Sequence, residues 1–235
     1  RLAGAAVAGV CLQGLFGGLR VLRNDPLLAN LHACAAPVLF GLCAALATLT
    51  STQWNNSPAT AEHPNARLLR RLALVATVGL YVEIVLGVQV RHLPLGDGPK
   101  LLALWVYLHL IAAALDLAVI LWLLPLALVR FADCRLLVRR IWLLAALFVA
   151  ESAAGALAWV VKYGWPGWFN DYVWPMDYTV QWAGSLRAAI LTAHVALGAL
   201  TLSAALSVAL WSLRLVKATT TAPSPPGFTL DESPR

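Results

Sequence analysis

Residues 101–128 form the stretch LLALWVYLHLIAAALDLAVILWLLPLAL, in which Asp116 is the one charged residue and His109 the one histidine. An apolar run of this length is typical of a helix that crosses the ~30 Å hydrocarbon layer of a membrane, which takes about 20 residues. Five further runs in the chain have the same character, so the sequence predicts six transmembrane helices. The predicted spans are 2–21, 27–50, 69–90, 101–128, 139–161 and 186–213.

The composition of the whole chain agrees with an integral membrane protein. Of its 235 residues, 60% are hydrophobic and 12% are charged, and the mean hydropathy is +0.75. Six spans leave room for little more than short loops, which excludes a large enzyme domain outside the membrane. The net charge of +6 comes from residues that mostly flank the apolar runs, so we predict no nucleic-acid partner.

Lysine and arginine predict the orientation of the chain. The loops after the second and fourth spans and the stub after the sixth hold nine such residues, and the other loops hold six. Because basic residues concentrate on the cytoplasmic side, we expect both ends of this chain to be cytoplasmic. The nine are Arg67, Arg70, Arg71, Arg130, Arg135, Arg139, Arg140, Arg214 and Lys217, and the six are Arg20, Arg23, Arg91, Lys100, Lys162 and Arg187.

Two segments outside the predicted spans have distinctive compositions. The outer segment KYGWPGWFNDYVWPMDYTVQWAGSLR, residues 162–187, contains four Trp and three Tyr. It suits an aromatic belt at the level of the lipid headgroups or, alternatively, a lid over a ligand pocket. The tail 218–235 is rich in Pro, Ser and Thr and is predicted to be disordered.

A repeat relates the three predicted helical hairpins. The first helix of each hairpin carries a polar residue four positions before a glycine, and the second helix carries a histidine. A glycine in a membrane helix lets another backbone or a flat ligand approach closely. The repeated residues are Gln13, Gly17 and His32 in the first hairpin, Glu83, Gly87 and His109 in the second, and Glu151, Gly155 and His194 in the third.

Histidines inside the spans are candidate metal ligands. His109 and His194 each lie about eight residues from the outer end of their span, so we expect both ~12 Å below the membrane surface. Two imidazoles at one depth can hold a haem iron axially, whereas zinc or copper would need further N or S ligands. The alternative is that each imidazole only hydrogen-bonds a neighbouring helix. His32 lies at comparable depth, and His63 and His92 are expected to be solvated loop residues.

Four charged residues are candidates for supporting roles. Arg187 lies seven residues before His194, nearer the outer surface, where its guanidinium can pair with a haem propionate or simply extend to the interface. Asp116, Glu83 and Glu151 lie within spans. Each is expected to be either protonated or the partner of a ligand histidine, orienting its ring.

Several stretches in this order resemble the haem A synthase family of cytochrome oxidase assembly proteins, in its bacterial branch. The likeness extends from about residue 5 to 215. Each motif alone is weak, and the specificity comes from their order and spacing. The motifs are LQGLFGGLRVL, ANLHACAAP, YVEIVLGVQVRHLP, YLHLIAAALDLAV, WVVKYGWPGWF and TAHVALGALTLSAALSVAL.

The resemblance implies an eight-helix protein made of two related four-helix bundles, each with a pair of haem-ligating histidines. This chain resembles helices three to eight, that is, one complete bundle and half of the other. By the resemblance, residues 67–217 form the bundle in which His109 and His194 hold haem b. Residues 1–66 then supply His32 and the cytoplasmic linker of the catalytic bundle.

The catalytic bundle of that family oxidises a ring methyl of haem O to the formyl group of haem A, with water as the oxygen source. The chain begins at Arg1 without an initiator Met, so we expect further sequence upstream, and the resemblance implies that it includes a helical hairpin. By the resemblance, that hairpin carries the fourth histidine and the essential carboxylate, and no catalytic residue is assigned within the present chain. We therefore expect this chain alone to bind haem b but not to convert haem O.

The resemblance also implies a bacterial cytoplasmic membrane and several partners. These are the haem substrate, the lipid bilayer, haem O synthase, an electron acceptor and further copies of the chain. The branch it resembles carries an uncharged amide where Glu83 and Glu151 stand. Two other functions stay open from the residues alone: a non-catalytic bis-histidine cytochrome that carries electrons, and a haem-free transporter or assembly scaffold.

Overall fold

A computed structural model describes residues 2–57, 61–93, 98–172 and 184–218. Within these ranges, six helices are long and apolar enough to cross a membrane. All six predicted spans and the all-α membrane fold are confirmed, and each helix is longer than its predicted span. The helices are α1 (Leu2–Arg23), α2 (Pro26–Thr50), α4 (Ala66–His92), α5 (Pro99–Arg130), α6 (Arg135–Tyr163) and α8 (Ser185–Leu215).

Four short elements connect or extend the long helices: α3 (Thr52–Asn56), β1 (Ala61–His63), α7 (Gly167–Tyr172) and β2 (Val216–Ala218). The two strands pair in parallel, with Ala61 opposite Val216 and His63 opposite Ala218. This pairing ties the linker before α4 to the chain that leaves α8. The predicted disordered tail lies outside the described residues from 219 onward.

Two histidines differ from their predicted loop positions. His63 lies in β1, and its ring centroid is 4.2 Å from that of Phe131. His92 is the last residue of α4, which continues two residues beyond the predicted span. The predicted loop positions were wrong, because a strand pairing with a distant segment and the true end of a helix are poorly marked in local sequence, but both side chains are partly exposed.

Helices α4, α5, α6 and α8 form a closed ring. Helix α4 packs against α5 and α8, and α6 packs against the same two helices. Helix α2 packs on the outside of this ring against α4 and α8, and α1 packs against α2. The described chain is therefore one four-helix bundle with an additional helical hairpin beside it.

Capping at Asp25 makes the turn between α1 and α2 tight. Its side-chain Oδ1 accepts hydrogen bonds from the backbone N–H groups of Leu27, at 2.8 Å, and Leu28, at 3.3 Å. Pro26 follows at the first helical position, where its missing N–H costs no hydrogen bond. The short connection places α1 and α2 side by side and antiparallel, as the hairpin repeat requires.

The hydrophobic core occupies one half of the four-helix bundle. We call the end that holds Arg70, Arg140 and Arg214 the inner end, and the end that holds Arg187 the outer end. The buried core cluster lies in the inner half, so the half that contains His109 and His194 lies beyond it. The core comes from residues 66–80 of α4, 120–127 of α5, 137–148 of α6 and 202–208 of α8.

Aromatic and arginine side chains join the linker to the inner end of the bundle. The ring centroid of Trp211, which is fully buried, lies 5.0 Å from that of Trp54 in an edge-to-face arrangement. The guanidinium carbon of Arg140 lies 4.8 Å from the centre of the Trp211 ring. The same guanidinium donates hydrogen bonds to Ser207 Oγ, at 2.7 Å, and to Gln53 Oε1, at 3.2 Å.

Candidate functional site

In the second hairpin, His109 of α5 is anchored to the backbone of α4. Its Nδ1 lies 3.1 Å from the carbonyl oxygen of Glu83. Because a carbonyl oxygen can only accept, Nδ1 donates the hydrogen bond, and in the neutral imidazole Nε2 then carries no proton. That tautomer is the one that binds a metal through Nε2, with the other ring nitrogen held by an acceptor.

Glycine at position 87 explains how the ring of His109 reaches this carbonyl. A Cβ atom on Gly87 would stand 3.2 Å from His109 Cε1. Side chains in a helix lean toward its N-terminus, so the residue four positions later covers the backbone around a given carbonyl. A glycine there uncovers the carbonyl of Glu83, whose second lone pair then accepts from the imidazole.

The first hairpin repeats this arrangement. Nδ1 of His32 lies 3.2 Å from the carbonyl oxygen of Gln13, and Gln13 Nε2 donates to the carbonyl oxygen of His32 at 2.8 Å. A Cβ atom on Gly17 would stand 3.0 Å from His32 Cε1. The predicted hairpin repeat is therefore confirmed as a repeated contact between a histidine and the helix before it.

The third hairpin has the same glycine contact but no hydrogen bond at the Nδ1 atom of its histidine. A Cβ atom on Gly155 would stand 2.9 Å from His194 Cε1. The carboxyl Oε1 of Glu151 lies 3.2 Å from His194 Nδ1. This Nδ1 atom is buried and has no hydrogen-bond partner among the described residues, in contrast to those of His32 and His109.

The fold brings His109 and His194 together. Their ring centroids are 6.5 Å apart, and the ring planes are inclined at 72°. A bond from a metal to imidazole nitrogen is about 2.0 Å and the ring centroid lies about 1.2 Å beyond that nitrogen, so two axial rings on one iron are about 6.4 Å apart. The observed separation therefore suits two axial ligands of one haem iron, whose other four ligands the porphyrin supplies.

His32 stands apart from this pair. It belongs to the α1–α2 hairpin, which packs outside the four-helix ring. Among the described residues it makes no ring contact with His109 or His194. The structure thus separates the three predicted ligands into one facing pair and one single histidine.

Three carboxyl side chains are buried in the four-helix ring: Asp116, Glu83 and Glu151 are 3%, 5% and 6% exposed. Of the three, Glu151 contacts a candidate ligand histidine through its side chain. Glu83 contacts His109 through its carbonyl oxygen, and so its predicted partner role uses the main chain. Asp116 lies against Gly79, where a Cβ atom would overlap its Oδ1.

Arg187 lies in the first turn of α8, about two turns outward of His194. It is half-buried, and none of the described residues forms an ion pair or a hydrogen bond with it. Its guanidinium is thus available to an anionic group at the outer end of the bundle. The aromatic segment proposed as a belt or lid lies in large part, at 173–183, outside the described residues.

Sequence analysis did not predict the backbone carbonyl that accepts a hydrogen bond from the histidine in the first two hairpins. The sequence predicted Glu83 and Glu151 as partners of a ligand histidine, and did not predict that the backbone carbonyls of Gln13 and Glu83 are the acceptors. The glycine four residues later was the available signal, because it marks the carbonyl that is left uncovered. No family model, curated protein or solved structure matches this chain.

Proposed function

We propose that this chain is a membrane haem protein that holds haem b between His109 and His194 and serves haem A synthesis, as in the family it resembles. The observation that carries the proposal is the 6.5 Å separation of these two rings. The His109 ring is also oriented by its hydrogen bond to the Glu83 carbonyl, and the His194 ring lies against the backbone of Gly155.

Each residue has a distinct task in this proposal. His109 and His194 would bind the iron through Nε2, and the Glu83 carbonyl at Nδ1 of His109 keeps that ring from rotating. Gly87 and Gly155 let the rings lie close to the helix backbones. Arg187 binds a propionate at the outer end. When bound, the haem supplies one-electron transfer, and the protein sets its position and potential.

His32 is proposed to ligate the haem that is the substrate of the oxidation. Its ring is fixed at Nδ1 by the Gln13 carbonyl, which leaves Nε2 free for iron in the same way. In this proposal His32 would hold haem O, and the His109–His194 pair would hold a second haem that supplies one-electron transfer. The proposed location is the bacterial cytoplasmic membrane, with the inner end on the cytoplasmic side.

A second candidate function is a bis-histidine cytochrome that carries electrons without converting haem. It is favoured by the fact that His109 and His194 both lie within one closed four-helix ring, whereas His32 lies on the hairpin outside it. A single haem site of this kind needs nothing from α1 or α2. The two functions are distinguished by whether replacement of His32 abolishes the conversion of haem O.

The test of haem binding is the absorption spectrum of the purified protein, wild type and His109→Ala, His194→Ala and His63→Gln. We expect the low-spin haem b spectrum of the wild type to be lost in the first two variants. His63→Gln is the matched control, because it removes an imidazole at the inner end. A low-spin spectrum retained in both His109→Ala and His194→Ala would contradict the proposal.

The test of synthase function is conversion of haem O in membranes that contain the complete protein. We expect His32→Ala to abolish formation of haem A while the haem b spectrum is retained. If His32→Ala converts haem O at the wild-type rate, or if the wild type does not convert it, the cytochrome function is favoured instead.

A further inference from the structure

We propose that the inner end of the bundle is a binding site for the phosphate group of an acidic phospholipid, held by Arg70, Arg140 and Arg214. These arginines come from three different helices, α4, α6 and α8, which pack together in the four-helix ring. The site lies at the opposite end of the bundle from Arg187 and uses none of the proposed haem ligands. The inference is therefore independent of the proposed function.

The first guanidinium group is fixed to the end of α8. Nη2 of Arg70 donates hydrogen bonds to the backbone carbonyl oxygens of Leu213 and Val216. These two carbonyls lie on either side of Arg214 along the chain. The side chain of Arg70 is thus held beside the segment that carries the third arginine of the site.

Two packed tryptophans hold the other two guanidinium groups. The guanidinium carbon of Arg140 lies 4.8 Å from the centre of the Trp211 ring, and that of Arg214 lies 5.8 Å from the centre of the Trp54 ring. Both distances are within the range of cation–π contacts, and the two rings are themselves in contact, with centroids 5.0 Å apart. Side chains fixed in this way lose little further conformational freedom when they bind an anion.

The positive charge of this cluster has no counter-ion among the described residues. Each guanidinium is partly buried and has five N–H donors, but the acceptors that it meets are uncharged carbonyl, hydroxyl and amide oxygens. Nε of all three arginines is buried without a hydrogen-bond partner in the described part of the chain. The acidic residues described at this end, Glu62 and Asp133, are exposed and form no ion pair with them. Partly buried cations with unused donors are costly unless an anion pairs with them.

The three arginines lie at the level expected for lipid headgroups. Each is within one residue of the end of a predicted span: 70 in the span 69–90, 140 in the span 139–161, and 214 just after the span 186–213. A guanidinium binds phosphate oxygens through two parallel hydrogen bonds, and basic pockets between membrane helices bind the headgroups of acidic lipids. Arginines that only extend into water would be exposed and free, whereas these are half-buried and held by rings and carbonyls.

The test is the affinity of the purified full chain in neutral detergent for phosphatidylglycerol, measured by native mass spectrometry. We expect Arg140→Gln and Arg214→Gln each to weaken binding about tenfold, because each removes a charged donor that faces the phosphate. Arg139→Gln is the matched control, since it removes the same charge from the exposed neighbour of Arg140, and it should weaken binding less than about twofold. Wild-type affinity in both Arg140→Gln and Arg214→Gln, or an equal loss in Arg139→Gln, would overturn the inference.

A second measurement needs no variant, so it holds even if a substitution disturbs folding. A ligand that binds only the folded protein raises its melting temperature. We expect phosphatidylglycerol to raise the melting temperature of the wild type in neutral detergent, and inorganic phosphate at the same concentration to leave it unchanged. No rise with phosphatidylglycerol would contradict the site. An equal rise with inorganic phosphate would overturn its assignment to a lipid.

Discussion

The imidazole of His194 lies directly against the backbone of Gly155, where a Cβ atom would stand 2.9 Å from Cε1. The same relationship recurs at Gly17 with His32 and at Gly87 with His109, at 3.0 Å and 3.2 Å. A Cβ atom at 2.9 Å would force the His194 ring to shift, and at 3.0–3.2 Å the other two rings would have to move by a few tenths of an ångström. The glycine is therefore what allows each histidine to be anchored to the helix that precedes it.

Alanine at position 155 should displace His194. The added methyl group overpacks the contact, which costs about 1–3 kcal/mol in well-packed sites. If the methyl group destabilises the haem-bound protein more than the haem-free protein, haem affinity falls by about tenfold for each 1.4 kcal/mol of that difference. The measurement is haem affinity by absorption titration. Gly87→Ala should have a smaller effect, since its contact is longer.

Gly14→Ala is the control for these variants, because a Cβ atom at Gly14 has no neighbour within 4 Å. It should leave haem affinity and thermal stability at wild-type values. Equal affinities for Gly155→Ala and Gly14→Ala would contradict the role given to Gly155.

Alanine at position 79 should destabilise the bundle through Asp116. A Cβ atom at Gly79 would overlap Oδ1 of Asp116, which is 3% exposed and therefore has little freedom to move away. We expect a loss of about 1–3 kcal/mol in unfolding free energy, the usual cost of overpacking. Asp116→Ala in the same chain should relieve the overlap, so the Gly79→Ala penalty becomes smaller in that background.

The measurement for Gly79→Ala is denaturant unfolding in detergent. Gly41→Ala serves as the control, because its Cβ atom would meet Leu206 at an ordinary contact distance of 3.6 Å. An equal penalty for Gly79→Ala with and without Asp116 would show that the overlap is not the cause.

Removal of the Trp211 ring should be among the most destabilising changes at the inner end. The ring is fully buried between Trp54 and the Arg140 guanidinium. Truncation of a buried Trp to Ala costs about 3–5 kcal/mol. Thermal unfolding in detergent should show this loss for Trp211→Ala, and a small change for Trp122→Ala, whose side chain is 57% exposed. Similar melting temperatures for the two variants would contradict the buried stack.

Cysteine labelling tests the predicted orientation. In a background without the four native cysteines, Lys100→Cys and Arg135→Cys place a thiol at the exposed start of α5 and of α6. The bias in basic residues predicts that Lys100 is outside and Arg135 is cytoplasmic. A membrane-impermeant maleimide should label Lys100→Cys in intact cells, and Arg135→Cys only after the membrane is opened. The reverse labelling pattern would show that the chain has the opposite orientation in the membrane.

Much of this fold could be predicted because its signals are local. A run of apolar residues as long as 101–128 has few alternatives to a membrane span, and the hairpin repeat follows from fixed helical spacing. The pairing of β1 with β2 and the Trp54–Trp211 contact could not be predicted, because each joins residues about 155 positions apart in the chain.

The sequence by itself determined the six spans, the common depth of His109 and His194, and the glycine beside each histidine. Only the tertiary structure decided that His109 Nδ1 hydrogen-bonds the Glu83 carbonyl, whereas His194 Nδ1 lies beside the Glu151 carboxyl group without a hydrogen bond among the described residues. Position 83 and position 151 both carry glutamate, and both offer a carbonyl and a carboxylate on the same face of a helix. The choice depends on how each helix is rotated against its neighbour, and that rotation is set by the packing of the whole bundle rather than by local spacing.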